Sequence, residues 1–121
     1  MIKFKDFEKE IVSVLAGSVL LDEELSRIFA EGECWLDDDH EAGYFINVRH
    51  PVIPTVRNVI SEPAAQTVVG ESCVGFVIFI ENHELSIDAS PWGEANVPSD
   101  FRERVDKVKF GKLENGQFIE Q

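Results

Sequence analysis

This chain of 121 residues is short of basic residues and of long apolar runs. Its 11 lysines and arginines face 23 acidic residues, giving a formal net charge of −12. A field of this sign repels nucleic acid and anionic lipid, so we expect neither as a partner. No apolar run approaches the roughly 20 residues that cross a bilayer. The first residues lack the cationic-then-apolar order of a signal peptide, so we expect a cytoplasmic protein.

Cysteine is scarce, and the glycines form no phosphate-binding loop. Cys34 and Cys73 are the only two cysteines, and without an export signal we expect reduced thiols. Neither belongs to a C-x-x-C pair, so a zinc or thioredoxin-type site is not supported. We therefore expect no cofactor.

The residues that are present fit one domain spanning 1–121. The sequence is 44% apolar and 10% aromatic, as in folded globular proteins. Its acidity is regional, because Asp22 to Asp100 contains sixteen acidic residues and only three basic ones. Such a region speeds encounter with a basic protein partner. The alternative is that the acidic residues only keep a small protein in solution.

A β-hairpin at residues 73–90 organises the sequence. Two runs of β-branched and aromatic residues flank a polar group at 81–84. With Asn82 and His83 as the loop, Ile80 pairs with Leu85 and the register continues outward. Strand alternation then predicts one core face, formed by Phe76, Ile78, Ile80, Leu85, Ile87 and Ala89.

The hairpin tip carries two acids. Glu81 and Glu84 face each other across the predicted loop, and their repulsion is unfavourable unless a cation is nearby. We interpret this pair as part of a recognition surface, where a cationic partner would relieve the repulsion between the two glutamates. The alternative is a solvated pair without a role.

Two helices are predicted before the strands. Residues 4–16 space apolar side chains three and four apart, and Gly17 ends the pattern. Asp22 resembles an N-cap for a second helix that ends at Gly32. The predicted apolar faces are Phe4, Phe7, Ile11, Val14 and Leu15 in the first helix, and Leu25, Ile28 and Phe29 in the second.

Further strands are predicted on both sides of the acidic run 37–41. The segments 34–36 and 43–49 are the predicted strands, and the acidic run between them is predicted to be a hairpin-like loop. Two prolines make 50–60 an edge strand or an irregular crossover, and 61–66 is predicted to be a loop before a short strand at 67–69.

The remainder is a loop, a short helix at 98–103 and a turn-rich C terminus. Residues 111–121 either fray or form a small extra hairpin. The whole pattern predicts an α+β fold, in which two N-terminal helices pack on a mainly antiparallel sheet of about four to six strands.

No stretch indicates a reaction. The acidic run Asp37 to Glu41 lacks the glycine and the distal glutamate of a calcium loop, so we interpret it as solvated and predict no metal site. His40, His50 and His83 lie in predicted loops without a nucleophile in a recognisable motif. We predict no catalytic residue.

Binding residues are instead predicted among the acids and one aromatic. Trp92 follows the hairpin and precedes a polar loop, where an aromatic side chain can anchor an interface. The predicted partner-binding residues are Asp37, Asp38, Asp39, Glu41, Glu81, Glu84, Asp88, Trp92 and Glu94.

The segments 74–85, 90–94 and 97–101 carry a resemblance. They contain a Gly-Phe-Val-Ile-Phe hairpin, a Trp-Gly-Glu turn and a proline-containing tail. These features resemble small uncharacterised bacterial α+β proteins, although His83 stands where glycine is usual. In size and charge the chain is similar in type to immunity proteins encoded beside bacterial nuclease toxins.

The resemblance and the charge together predict a binding protein that occludes a basic toxin domain. The alternatives are a nucleic-acid mimic or regulatory adaptor for another basic protein, and a small enzyme or metal binder that uses His40 and its acidic neighbours. The oligomeric state stays open.

Overall fold

A computed structural model describes residues 2–38 and 42–121, which form three helices and one seven-stranded sheet. In chain order the elements are α1 (Asp6–Leu15), α2 (Asp22–Glu31), β1 (Glu33–Asp38), β2 (Tyr44–Arg49), β3 (Asn58–Val69), β4 (Ser72–Glu81), β5 (Glu84–Pro91), α3 (Phe101–Arg104), β6 (Lys109–Glu114) and β7 (Gln117–Glu120). The α+β prediction is confirmed. The sheet has more strands than the four to six expected.

The strand order is β1-β2-β5-β4-β3-β6-β7, and every neighbouring pair is antiparallel. The predicted hairpin is the β4–β5 pair, which occupies the middle of the sheet. Its register is confirmed, with Ile80 opposite Leu85 and Phe76 opposite Ala89. Because side chains alternate along a strand, this register decides what each face of the sheet carries.

The core lies between one face of the sheet and the helices. The helices α1, α2 and α3 bury side chains in the same apolar cluster as the inward residues of β2, β4 and β5. The rings of Phe7 and Phe101, for example, lie 6.2 Å and 6.4 Å from the ring of Phe76. In α1 the predicted face is wrong at Val14, which is exposed, while Val12 is fully buried.

In both long helices the third residue is a glutamate whose carboxylate accepts a hydrogen bond from the backbone amide of the N-cap residue. The Lys5 amide donates to Glu8 Oε1 at 2.8 Å, and the Leu21 amide donates to Glu24 Oε1 at 2.9 Å. The N-cap of α2 is therefore Leu21, and Asp22 is the first helical residue. The predicted cap was one residue late, although the acids in the first turn still favour the helix dipole.

The predicted loop at 61–66 is wrong, because these residues lie inside the 12-residue strand β3. Ile60 is opposite Ile78 and Ala65 is opposite Phe76, so β3 advances five residues while β4 advances two. The surplus residues form a bulge that contains Pro63. Proline donates no ladder hydrogen bond, so a bulge is one of the few places in a sheet that accept it.

The β4–β5 turn is supported from outside by the segment 50–57. Asn82 and His83 have φ values of 51° and 65°, as a tight two-residue hairpin turn requires. The His83 amide donates to the Pro54 carbonyl at 3.1 Å, and His83 Nδ1 lies 2.8 Å from the Ile53 carbonyl. These contacts compensate for a histidine in a conformation that glycine adopts more easily.

A charged pair is buried where α1, β2 and α3 meet. Glu8 is fully buried and accepts hydrogen bonds from Arg102 Nε at 2.9 Å and Arg102 Nη2 at 2.8 Å. The Tyr44 hydroxyl donates to the same carboxylate at 2.9 Å. Burial, followed by the neighbouring Glu8 charge, raises the pKa of Tyr44, so this hydroxyl remains a donor.

The C-terminal segment forms a hairpin and is not frayed. Strand β6 pairs with β3 as well as with β7, so the hairpin extends the sheet. The short helix begins at Phe101, three residues later than predicted. Among the described residues, no helix is long and apolar enough to cross a membrane.

The sheet register predicts a large difference between two substitutions. Ile78→Ala should lower the free energy of unfolding by about 2–5 kcal/mol, because it truncates a fully buried side chain. Val68→Thr, on the other face and 62% exposed, should change it by less than about 0.5 kcal/mol. Denaturant melts measure both, and equal midpoint shifts would contradict the assignment of faces.

The buried pair predicts an asymmetry within α3. Arg102→Met should cost about 3–5 kcal/mol, because it leaves the Glu8 carboxylate buried without its cation. Arg104→Met is the matched control and should cost less than about 1 kcal/mol, because the ion pair that Arg104 makes with Asp100 at 3.5 Å is exposed.

A double-mutant cycle tests the same pair. The double variant Glu8→Gln/Arg102→Met should lose less free energy of unfolding than the sum of the losses in the two single variants, because no unpaired charge remains buried. Equal costs for Arg102→Met and Arg104→Met would show that the buried pair does not hold α3.

Candidate functional site

The most distinctive surface is the face of the sheet opposite the helices, which we call the helix-free face. Strand alternation and register divide its side chains into two groups. The acidic half, from β1, β2 and β5, consists of Glu33, Trp35, Asp37, Phe45, Asn47, Arg49, Glu84, Ser86, Asp88 and Ser90. The apolar half, from β3, β4, β6 and β7 with Trp92 beside them, contains Val59, Val68, Val77, Phe79, Trp92, Leu113 and Phe118.

One row across the acidic half places an aromatic ring between two carboxylates. Asp37 is opposite Phe45, and Phe45 is opposite Asp88. Neighbours in such a row have Cβ atoms about 4.5–5.5 Å apart. Phe45 is 39% exposed. The row therefore offers a cation two carboxylates and an aromatic surface at once.

The next row fixes Asp37 in place. Asn47 is almost completely buried although it lies on this face. Its Nδ2 donates to Asp37 Oδ2 at 3.0 Å and to the Trp35 carbonyl at 3.3 Å, while the Ser86 hydroxyl donates to Asn47 Oδ1. An amide that is satisfied on both ends orients the carboxylate beside it.

Asp88 is oriented in a similar way. The Ser90 hydroxyl donates to Asp88 Oδ1 at 2.6 Å. Ser90 lies two residues along β5 and therefore on the same face. Both carboxylates of the aromatic row thus have a neutral hydrogen-bond donor, and each keeps acceptor capacity for a further ligand.

The two glutamates at the hairpin tip each have an arginine. Arg49 bonds Glu84, and Arg57 Nη1 lies 3.5 Å from Glu81 Oε2. The hydrogen bond to Glu84 raises the pKa of the Arg49 guanidinium. The cations that the repulsion between Glu81 and Glu84 requires are therefore supplied by the chain itself.

Trp92 is held against the sheet by the absence of a side chain at Gly75. A Cβ atom added at Gly75 would lie 1.8 Å from the indole ring. The Trp92 amide donates to the Cys73 carbonyl at 2.8 Å, and the Phe118 ring lies 6.2 Å from the indole. The indole is fixed from below and remains 40% exposed above.

A groove opens beside Trp92 at the β3 bulge. It has a volume of about 770 Å³. Its walls include Pro63, Val77, Trp92 and Leu113, and the charged residues Glu62 and Lys112 also line it. The bulge creates this space because it displaces part of β3 from its ladder with β4. The groove is continuous with the apolar half, to which Val77, Trp92 and Leu113 belong.

The structure brings only some of the predicted binding residues together. Asp37, Glu84, Asp88 and Trp92 share the helix-free face, and Glu81 lies at its margin. Asp38 alternates to the other face, and Glu94 is exposed in the loop after β5. Asp39 and Glu41, like His40, lie outside the described residues.

The sequence prediction missed the residues that give the site its shape. Trp35, Phe45, Asn47 and Phe79 were assigned to strands but not to a site. Their alternation with inward side chains placed them on one face, which was the available signal. The local sequence pattern could not show that this face is left uncovered by the described elements.

Both thiols and the described histidines make contacts within the fold. Burial raises the pKa of both Cys34 and Cys73, and Cys73 Sγ donates to Gln66 Oε1 at 3.2 Å. His50 is buried, with Nε2 at 2.7 Å from Glu31 Oε1 and Nδ1 accepting from the Val52 amide at 3.1 Å. Residues 2–38 and 42–121 contain no metal-type cluster of three His, Cys, Asp or Glu side chains.

Comparisons with known proteins give no information about the function of this chain. No protein-family model matches the chain, and neither curated proteins nor solved structures show a significant match.

The contact between His50 and Glu31 predicts a pH-dependent contribution to stability. The hydrogen bond from His50 lowers the pKa of the Glu31 carboxyl below its ordinary value. The unfolded chain therefore binds the proton more readily, so the stabilisation is complete above the unfolded pKa and disappears as the pH falls through the folded one. Glu31→Gln should be less stable than wild type at about pH 6, and the difference should shrink towards about pH 3.

Thermal melts across that pH range measure the difference. The same substitution in a His50→Leu background should show much less pH dependence, because the hydrogen bond that lowers the pKa is gone. A difference that is constant with pH in the wild-type background would contradict this role for His50.

Proposed function

We propose that this chain is a cytoplasmic binding protein that neutralises a basic protein by occlusion, and specifically an immunity protein for a nuclease toxin domain. One observation carries the proposal. The helix-free face combines oriented carboxylates with exposed aromatic rings, and none of the described elements covers it.

The exposed apolar side chains support a binding role. Large contiguous apolar surfaces are uncommon on monomeric proteins and usually mark interaction sites. Leu113 is 55% exposed and Val59 is 47% exposed on this face. Aromatic side chains such as Trp35, Phe45 and Trp92 are enriched at protein interfaces and among the residues that dominate binding energy.

The charges support a basic partner. The acidic half presents four carboxylates and one guanidinium, that of Arg49. Complementary charge accelerates association and selects against other partners. A nuclease binds phosphates with basic side chains, so carboxylates placed against those side chains would block its substrate. Inhibition of this kind needs only binding.

A charge-reversal experiment tests the proposal. The double variant Asp37→Lys/Asp88→Lys is compared with Asp106→Lys/Glu71→Lys, which changes two exposed acids elsewhere. The ligand is the purified product of the neighbouring gene, and surface plasmon resonance measures association at low and moderate salt. The first variant should associate about tenfold or more slowly with a flatter salt dependence, and the control should stay near wild type.

Growth assays add the functional readout. Co-expression of the wild type and of the control variant should protect cells from the toxic gene product, and the first variant should not. Unchanged association by the first variant, at matched folding, would contradict the role of the helix-free face.

A further inference from the structure

We propose that the partner presents an amphipathic segment to the helix-free face, with arginine side chains over the acidic half and an apolar side chain in the groove beside Trp92. This inference rests on the proposed function and specifies the chemistry of its partner. It follows from the division of the face into two halves of different character.

The acidic half fits a guanidinium better than an ammonium. Phe45 lies between Asp37 and Asp88 in one cross-strand row. A planar guanidinium can stack on the ring and direct donors to the carboxylates on both sides. A lysine ammonium is more strongly hydrated and has no planar surface to stack. The hydrogen bonds from Asn47 and Ser90 hold the carboxylates in place before binding.

The apolar half fits an uncharged side chain. Its outward charges, on Glu81, Lys109 and Glu120, lie at its margins. Between them lie apolar side chains and the groove of about 770 Å³, which can hold a large aromatic or aliphatic group. The two charged residues that line the groove, Glu62 and Lys112, have opposite signs, so they give it no net charge. Trp92 forms one wall and is already immobilised over Gly75, so little ordering is needed when the groove fills.

Charge argues against a second copy of this chain on the same face. Two such faces in contact would place carboxylates either against carboxylates or against the apolar half. The first arrangement is repulsive, and the second removes charges from water without a partner. A basic segment avoids both problems.

The two halves lie close enough for one short segment. Phe45 on β2 and the groove beside β4 are separated by two to three strand spacings, or about 10–15 Å. Four residue steps of extended chain span about 13 Å. One extended segment of about five residues can therefore contact both halves.

Nuclear magnetic resonance with the isotope-labelled full chain tests the inference. The probes are acetyl-arginine amide, acetyl-tryptophan amide, and a peptide that joins arginine and tryptophan through three small polar residues. The arginine probe should shift amide signals of β1, β2 and β5, and the tryptophan probe those around the groove. The joined peptide should bind at least about tenfold more tightly than either single probe.

Matched variants assign each probe to its half. Asp37→Asn/Asp88→Asn keeps hydrogen-bond acceptors but removes charge, and should weaken the arginine probe about tenfold without affecting the tryptophan probe. Leu113→Gln should do the reverse. Asp106→Asn, away from this face, should affect neither. Replacing arginine by citrulline in the joined peptide should weaken binding as much as the Asp37 and Asp88 changes do.

The outcomes separate this inference from the proposed function. Probes that shift the same signals, or signals on the helix side, would overturn the division into two halves. If that happens while charge reversal still blocks the neighbouring gene product, this inference fails and the proposed function stands. If the probes separate as expected but the gene product does not bind, the proposed function is wrong about the partner's identity, and the two-part site remains.

Discussion

The buried contact between Glu8 and Arg102 is the constraint on which the arrangement of this protein depends. It joins α1 to α3, which are 94 residues apart in sequence, and the Tyr44 hydroxyl adds β2 to the same carboxylate. A buried carboxylate is tolerable only with such partners, so α1 and α3 must both lie on the face of the sheet that carries the Tyr44 side chain. In the described part of the chain, no helix lies on the other face.

A sheet face without helices is usually polar or covered, whereas this one is polar over only half of its area and no described element covers the other half. The carboxylates of Asp37 and Asp88 lie on either side of the Phe45 ring in one cross-strand row. A bulge in β3 opens a groove at one side of the face. Other residues hold the exposed groups of this face in position. Gly75 leaves room for the indole of Trp92, and Asn47 donates a hydrogen bond to the carboxylate of Asp37. An ordered polar network on an exposed surface is more than solubility requires, and we propose binding as its role.

Much of the fold could be predicted from the sequence because its signals are local. The β4–β5 register follows from alternation, and the two helices follow from apolar spacing. The parts of the fold that the sequence did not predict depend on contacts between residues far apart in the chain. Glu8 lies on the apolar face of α1, and only its distant partner Arg102 explains it. The bulge at Pro63 was predicted to be a loop because proline interrupts a strand pattern, whereas the neighbouring strands keep it in the sheet. The tip glutamates needed Arg49 and Arg57, which no local pattern connects to them.

The central claim is that the helix-free face is the surface the partner covers. Hydroxyl-radical footprinting of the chain, alone and with the neighbouring gene product, measures this side chain by side chain. We predict that Phe45, Trp92 and Leu113 become protected in the complex, while the exposed Val14 and Leu21 on the helix side label equally in both states. Protection of Val14 and Leu21 with undiminished labelling of Phe45 and Trp92 would contradict it.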